Sequence, residues 1–424
     1  MALACRALSL AKRGFESRRQ WHLIVPLKSQ VLICCNNYSS ISSPLITRLL
    51  QEPKSRIKAT LDSEGNNFTS EFSWDALITA LKSSSSTDKA QLVLEWRLEK
   101  LLRDNVRDHD CYSELIYLFG KVQNVSAAMH VFTSMEAHGI RPSSAVFNAL
   151  IAVFLSSGNI ITALSLFEIM ENSEGFKPNS DTYNAFISVH ANTGNDKAMQ
   201  AWYTAKRNAG FSADLRTYES LVSGCVKLKQ FDAADKFYEE MILSGITPNL
   251  FILESMLVGL CEQRNLDKVK EFLMFIVNGG WKINGYTTQK LVGLYGELGR
   301  VEELEELLLS LMKCNQLPEV MSRVHCGIIR MYAMLDRLDN VEYSVGRMLE
   351  QGISFRCPDD VEKVICSYFR KAAYDRLDLF LERIRGSHKL TRSTYNLLVA
   401  GYRRAGLSEK VIMMMDSMKL AGFS

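Results

Sequence analysis

A segment of about 35 residues recurs along this chain of 424 residues. Its clearest copies are VFNALIAVFLSSGNIITALSLFEIMENSEGFKPN, which starts at Val146, and TYNAFISVHANTGNDKAMQAWYTAKRNAGF, which starts at Thr182. Weaker copies start at Thr217 and Thr394. A repeat of this period is typical of one supersecondary unit that stacks on its neighbours. We therefore expect function to lie on a repeated surface and not in a single catalytic pocket.

Each copy has the pattern of two helices joined by a short turn. Phe147, Leu150 and Phe154 follow helical spacing, and Gly158 marks the turn that follows them. The second helix places methionine at one recurring position: Met135, Met170, Met241, Met348 and Met418. Most units then close on a glycine, where a helix end commonly needs positive φ: Gly139, Gly175, Gly210, Gly245, Gly280, Gly352 and Gly422. The recurring apolar positions predict the core.

The pattern predicts an all-α fold, an α-solenoid of stacked helix–turn–helix repeats. Its nine contiguous units are 109–143, 144–179, 180–214, 215–249, 250–284, 285–321, 322–357, 358–391 and 392–424. Residues 71–108 fit two interpretations, a degenerate repeat or an N-terminal helical cap. Residues 41–70 are predicted to be a linker.

The N-terminus has the composition of an organellar transit peptide, predicted over residues 1–40. It is rich in arginine and serine and nearly free of acidic residues. Residues 1–58 carry a net charge of +8 within a total of +3, which leaves −5 on the other 366 residues. We expect a mitochondrial matrix location, with the plastid as the alternative. A mildly acidic mature chain argues against broad polyanion binding.

Motifs of catalysis and metal binding are absent from the sequence. There is no phosphate-binding glycine loop, no H-E-x-x-H and no G-x-S-x-G. The ten cysteines include no C-x-x-C pair, and no run of eighteen apolar residues predicts a membrane span. The acidic cluster at 302–306 opens a second helix, where acids favour the helix dipole. We therefore expect no enzyme activity, no cofactor and no metal.

The repeats resemble those of pentatricopeptide repeat proteins over roughly residues 109–424. That family has Tyr-Asn near each unit start and Gly-Ile-x-Pro-Asp/Asn at its close. This chain has Tyr183-Asn184 and Tyr395-Asn396 for the first feature, and Gly245-Ile246-Thr247-Pro248-Asn249 for the second. The units stay near 35 residues without an appended module, which is similar to the pure-repeat class common in plants. The resemblance implies a right-handed superhelix that acts on organellar transcripts.

In this family the fifth and last residues of a unit discriminate between RNA bases. Carried over, Asn184 with Asp214 implies uridine and Asn148 with Asn179 implies a pyrimidine, whereas Ser113 with Ser143 implies no particular base. The other candidate RNA contacts are Asn249, Asn284 and Asn396. Glutamates fill the fifth place in three units, as Glu219, Glu254 and Glu362, and argue against a long specific RNA site.

Two functions follow as hypotheses. In the first, the chain binds single-stranded organellar RNA and acts in transcript processing, stabilisation or translation. In the second, it is a protein-binding scaffold associated with the mitochondrial ribosome or its assembly. The acidic mature chain and the glutamates at base-contacting positions favour the second hypothesis.

Overall fold

A computed structural model describes residues 44–64, 72–84 and 86–423. The described residues fold into helices joined by short connections, without a strand. Contacts divide the chain into two compact segments, Met1–Thr247 and Pro248–Ser424. The predicted transit peptide, residues 1–40, lies outside the described residues.

The helices of the N-terminal segment are α1 to α12, with one 3₁₀ turn at Lys54–Arg56. Their bounds are α1 Pro44–Gln51, α2 Ile57–Ser63, α3 Trp74–Ser83, α4 Thr87–Arg103, α5 His109–Lys121, α6 Val125–Ala137, α7 Ser144–Ser156, α8 Ile160–Glu171, α9 Ser180–Thr193, α10 Asp196–Asn208, α11 Leu215–Lys227 and α12 Phe231–Leu243.

The C-terminal segment holds α13 to α22. Their bounds are α13 Leu250–Glu262, α14 Leu266–Asn278, α15 Gly285–Glu297, α16 Val301–Lys313, α17 Pro318–Met334, α18 Leu338–Glu350, α19 Pro358–Arg370, α20 Tyr374–Ile384, α21 Arg392–Arg404 and α22 Ser408–Leu420. From α5 onward, odd-numbered helices are the first helices of units and even-numbered helices are the second.

First helices pack in succession within each segment. In the N-terminal segment α5, α7, α9 and α11 form one such series, and each also packs against its own second helix. In the C-terminal segment α13, α15, α17, α19 and α21 do the same. Within each segment, each helix pair buries its apolar face against the next pair, as expected of a helical repeat array. The all-α repeat fold predicted from the sequence is confirmed.

The recurring core positions are filled as predicted. Met135, Met170, Met241 and Met348 are fully buried, and Met418 is half-buried. Aromatic rings also fill the space between the two helices of a pair: Phe186 on α9 stacks on Trp202 on α10 with ring centroids 4.0 Å apart. Such contacts add to the free energy of burial because ring quadrupoles favour offset and edge-on packing.

The closing glycines follow the prediction with one exception. Gly139, Gly210 and the others in the series have positive φ, but Gly175 does not. Its connection closes differently, because Ser173 Oγ accepts hydrogen bonds from the backbone nitrogens of Gly175 and Phe176 at 3.1 and 3.2 Å. The two hydrogen bonds to the Ser173 hydroxyl close this turn without a glycine of positive φ.

The predicted linker is wrong for residues 44–63. These residues form α1 and α2, which pack against α3 and α4 respectively. Leu49, Ile57 and Leu61 are fully buried, and Asp62 accepts a hydrogen bond from Trp96 Nε1 at 2.7 Å. Charged residues surround these few apolar side chains, so the sequence shows no clear apolar periodicity there. The stability of these helices comes from tertiary packing.

The segment predicted as a degenerate repeat or cap forms a helix pair, α3 and α4. Arg97 on α4 is 6% exposed, lies over the Trp74 ring at 4.5 Å and donates to Glu114 on α5 at 2.6 Å. These contacts join the pair to the first unit of the array.

The predicted unit boundary at 321/322 is wrong. Helix α17 begins at Pro318 and continues to Met334, so its N-terminal turn precedes the expected start. Proline at the first helical position favours helix initiation because its φ is already helical and its missing N–H would have no intrahelical partner. Cys326, expected at the fifth position of a unit, is 6% exposed and lies in the middle of this helix.

Candidate nucleic-acid interface

In three units the fifth and last residues are hydrogen-bonded to each other between two successive first helices. The fifth residue is in the second turn of its helix, and the last residue is the N-cap of the following first helix. Asn179, Asp214, Asn249 and Asn284 all accept a hydrogen bond from a backbone N–H at such a helix start. This N-cap hydrogen bond holds each side chain at the helix start, because its oxygen accepts from a backbone N–H that has no partner within the helix.

In the 144–179 unit the two positions form a neutral pair. Asn148 Nδ2 donates to Asn179 Oδ1 at 3.0 Å. Asn148 Oδ1 accepts from the Thr182 hydroxyl at 2.6 Å, and Asn179 accepts from Thr182 N at 3.1 Å as part of a capping box. The pair is half-buried. The structure thus brings together the two residues that the sequence placed 31 positions apart.

In the 180–214 unit the same positions form a charged network. Asn184 Nδ2 donates to both carboxylate oxygens of Asp214, at 3.1 and 3.0 Å. Asn184 Oδ1 accepts from Lys206 Nζ at 2.9 Å and from Thr217 Oγ1 at 2.8 Å. Asn184 is 7% exposed, whereas the side chain of Asp214 is 42% exposed. The solvent-facing edge of this pair therefore belongs mainly to Asp214.

Asp214 is held as a carboxylate. Its burial alone would raise the pKa, but hydrogen bonds from Ser180, Thr217, Asn184 and Lys206 outweigh burial and hold the pKa well below its usual range. The Ser180 hydroxyl donates at 2.7 Å and Lys206 Nζ at 3.1 Å. An anion that accepts several hydrogen bonds is stabilised over its protonated form.

Lys206 is the site residue that the sequence prediction missed. It is fully buried on α10, at the position of the second helix where Met170 and Met241 lie in the neighbouring units. Lysine is rarely buried in proteins unless it is paired. The available signal was a lysine at a position that methionine, isoleucine or leucine fills in every other unit.

In the C-terminal segment, Glu254 and Asn284 are also paired. Glu254 accepts from the backbone N of Asn284 and from its Nδ2, both at 2.6 Å. Glu254 is 8% exposed, and burial raises its pKa despite the bonds from Asn284. The carboxylate oxygens thus face the helix start of the next unit.

Ser113 and Ser143 do not form such a pair. Ser113 Oγ donates to the Asp110 carbonyl at 3.0 Å, and the buried Ser143 Oγ has no hydrogen-bond partner among the described residues. Asn249 caps α13 through Ile252 N at 3.1 Å, and Asn396 is exposed on α21.

The second residue of a unit differs between neighbouring units. Ala145 is half-buried. Asp181 is exposed and forms an ion pair with Arg216, the second residue of the following unit, at 3.6 Å. This exposed pair contributes little to stability, but it neutralises the acidic side chain beside the Asn184–Asp214 pair.

Two further kinds of feature are absent from the described ranges. No three histidine, cysteine or acidic side chains there come together as metal ligands. None of the helices from α1 to α22 has the length and apolar character needed to cross a membrane.

Comparison with known proteins places the chain among helical repeat proteins. The profile described as PPR repeat family matches residues 142–192, the pentatricopeptide repeat domain profile matches 98–157, and the PPR repeat profile matches 216–246 and 393–423. No curated protein gives a significant sequence match.

Two solved structures are similar to this chain at low sequence identity. The pentatricopeptide repeat protein PPR10 in complex with an 18-nt psaJ RNA element is 18% identical with a TM-score of 0.50, over 89% of this chain and 54% of PPR10. PPR10 from maize is 17% identical with a TM-score of 0.47, over 87% of this chain and 61% of PPR10. This chain spans about half the length of the RNA-bound relative.

Proposed function

Because the chain belongs to the pentatricopeptide repeat family, we propose that it binds single-stranded RNA along its first helices, one base to a unit. The observation that carries the proposal is the contact between the fifth and last residues in neighbouring units, Asn148–Asn179 and Asn184–Asp214. Single-stranded RNA is read by groups that meet the edges of unstacked bases. The RNA-bound relative of the same fold supports the proposal by analogy.

The surface that binds RNA is short. It comprises the units from 144 to 214, where the paired side chains carry amides and an N-cap carboxylate. Beyond it, Glu219 stands at the fifth position, and Glu254 is committed to Asn284 in the C-terminal segment. A carboxylate near an RNA backbone opposes binding. We propose a pyrimidine preference confined to the positions that face Asn148 and Asn184.

We propose that this RNA is organellar and that the protein acts in the mitochondrial matrix. The basic, arginine-rich N-terminus supports this location. Binding alone would protect a transcript end or change access to it, so the proposal requires no catalytic residue. The step affected is therefore processing, stabilisation or translation.

The test compares the wild-type protein with the double variant Asn184→Ala, Asp214→Ala in filter binding to pyrimidine-rich RNA at fixed salt. We expect the affinity to fall more than about tenfold, the effect of losing one base contact. Asn195→Ala is the matched control, because Asn195 caps α10 in the same unit at 3.2 Å from Ala198 N without touching the pair. Equal affinity of the folded double variant and the control would refute the proposed RNA site.

A scaffold that binds the mitochondrial ribosome is the second candidate function. The buried Glu254, which is engaged within the protein and not available to a base, favours it for the C-terminal segment. Sedimentation of the tagged protein with ribosomal particles after RNase treatment would support the scaffold. Crosslinking to a single transcript would support the RNA-binding function instead.

A further inference from the structure

One ammonium group lies in the core of the 180–214 unit, below the pair that we propose to contact a base. Lys206 Nζ donates to Asn184 Oδ1 at 2.9 Å, Asp214 Oδ2 at 3.1 Å and Thr217 Oγ1 at 2.7 Å. An ammonium has three donors, so all of them are used. A buried lysine without partners would be strongly unfavourable, but this one is fully satisfied.

The partners of Asn184 determine which way its amide faces. Lys206 can only donate, and the Asp214 carboxylate can only accept. The amide oxygen must therefore face Lys206 and the amide nitrogen must face Asp214. A flipped amide would place its N–H groups against the ammonium and its oxygen against the carboxylate. Asn148 in the preceding unit has only neutral partners, Asn179 and Thr182.

Within this network, one N–H group is not used by a hydrogen bond inside the protein. The two lone pairs of Asn184 Oδ1 are taken by Lys206 and Thr217. The Asp214 oxygens accept from Thr217 N at 2.9 Å, from Ser180, from Lys206 and from Asn184. A carboxylate offers about four acceptor sites, so Asp214 has none to spare. Only the second Nδ2 hydrogen of Asn184 is left for a ligand.

We propose that Lys206 is a positioning residue that locks the Asn184 amide as a hydrogen-bond donor and thereby makes this unit select uridine over cytosine. The inference rests on the proposed RNA binding. Uridine carries a carbonyl oxygen at position 4, which accepts from the Asn184 N–H. Cytosine carries an amino group there, which finds no free acceptor on the locked network. A buried polar group left unpaired by the wrong ligand is a strong source of selectivity.

Replacing Lys206 with methionine gives the unit the core residue of its neighbours. It frees one lone pair of Asn184 Oδ1 and removes one of the two charged partners that fix the direction of the amide, leaving Asp214 as the other. The freed lone pair can then accept from the cytosine amino group, so the preference for a carbonyl weakens. The core itself accommodates methionine, because Met170 and Met241 are fully buried at this position in adjoining units.

The experiment incubates the full chain with a randomised single-stranded RNA pool and sequences the bound fraction. Wild type, Lys206→Met and the matched control Met170→Leu are compared, and thermal melts establish that each is folded. We expect one position of the bound motif to prefer uridine over cytosine by about tenfold in wild type and in Met170→Leu. In Lys206→Met that preference decreases while the other positions keep theirs.

The outcomes separate the two proposals. An unchanged uridine preference in Lys206→Met overturns the role of Lys206 and leaves RNA binding intact. A pool that wild type does not enrich at all overturns RNA binding, and the inference with it. Should Lys206→Met fail to fold, Lys206→Leu replaces it, since Leu311 fills the same position in the 285–321 unit at 1% exposure; preserved preference there is equally decisive against the role.

Discussion

The 144–179 and 180–214 units place the same two positions in contact by different means. The first joins two amides over the methionine core and is half-buried. The second joins an amide to a carboxylate and completes the pair with a fully buried lysine. The lysine costs desolvation, which its three acceptors offset. The lysine also fixes the direction of the Asn184 amide. Neighbouring repeats of one fold therefore differ in whether charged partners determine which amide atoms face a ligand.

The largest expected effect comes from placing a lysine beneath the neutral pair. Met170→Lys should reduce the free energy of unfolding by about 4 kcal/mol, because the new ammonium has no carboxylate partner. Adding Asn179→Asp should recover at least half of this loss by recreating the neighbouring network. Urea unfolding followed by circular dichroism measures both changes.

Met170→Leu is the control for that experiment, since a swap of similar volume costs less than about 1.5 kcal/mol. If Met170→Lys costs no more than Met170→Leu, the two core positions are not equivalent and the comparison between the units fails.

A smaller effect is expected from removing each N-cap in turn. Asn179→Ala should cost about 1 kcal/mol, the usual value of a cap. Asp214→Ala should cost about 3 kcal/mol, because it also leaves the ammonium of Lys206 without its carboxylate. Chemical denaturation gives both values.

A double-mutant cycle then isolates the charge. In a Lys206→Met background, Asp214→Ala should cost no more than Asn179→Ala does in wild type. An excess that persists without Lys206 would show that the ion pair is not its source.

The smallest expected effect is the loss of folding stability at low pH. The pKa of Asp214 is lowered in the folded state, so its contribution to stability is complete above the unfolded carboxyl pKa, about 4, and is lost as the pH falls through the folded pKa. Wild type should therefore lose its advantage over Lys206→Met, Asp214→Asn between about pH 5 and pH 2. Since the Asp214 side chain is 42% exposed, we expect about 1 kcal/mol after screening.

The 144–179 pair contains no ionisable group and supplies the internal standard for that titration. The free-energy cost of Asn179→Ala should not change over the same pH range. A difference between wild type and the Lys206–Asp214 double variant that stays constant from pH 5 to pH 2 would contradict the lowered pKa.

Local features of the repeats were predictable because they depend on residues close in sequence. Asn179 and Asp214 stand at the starts of α9 and α11, where short polar side chains cap helices. The recurring methionines and aromatics marked the buried face through their constant period. The helices α1 and α2 and the start of α17 were mispredicted, since few apolar residues and an early proline gave no repeat signal there.

The repeat period and the two-helix units followed from the order of residues alone, because helix propensity, capping and periodicity act over a few turns. The candidate pairs followed from the resemblance to pentatricopeptide repeat proteins. The function of Lys206 did not follow. It is 22 residues from Asn184 and 11 from Thr217 in the chain, and only the packing of α9, α10 and α11 brings the three side chains together. Desolvation then makes their donor and acceptor roles obligatory, which no local pattern encodes.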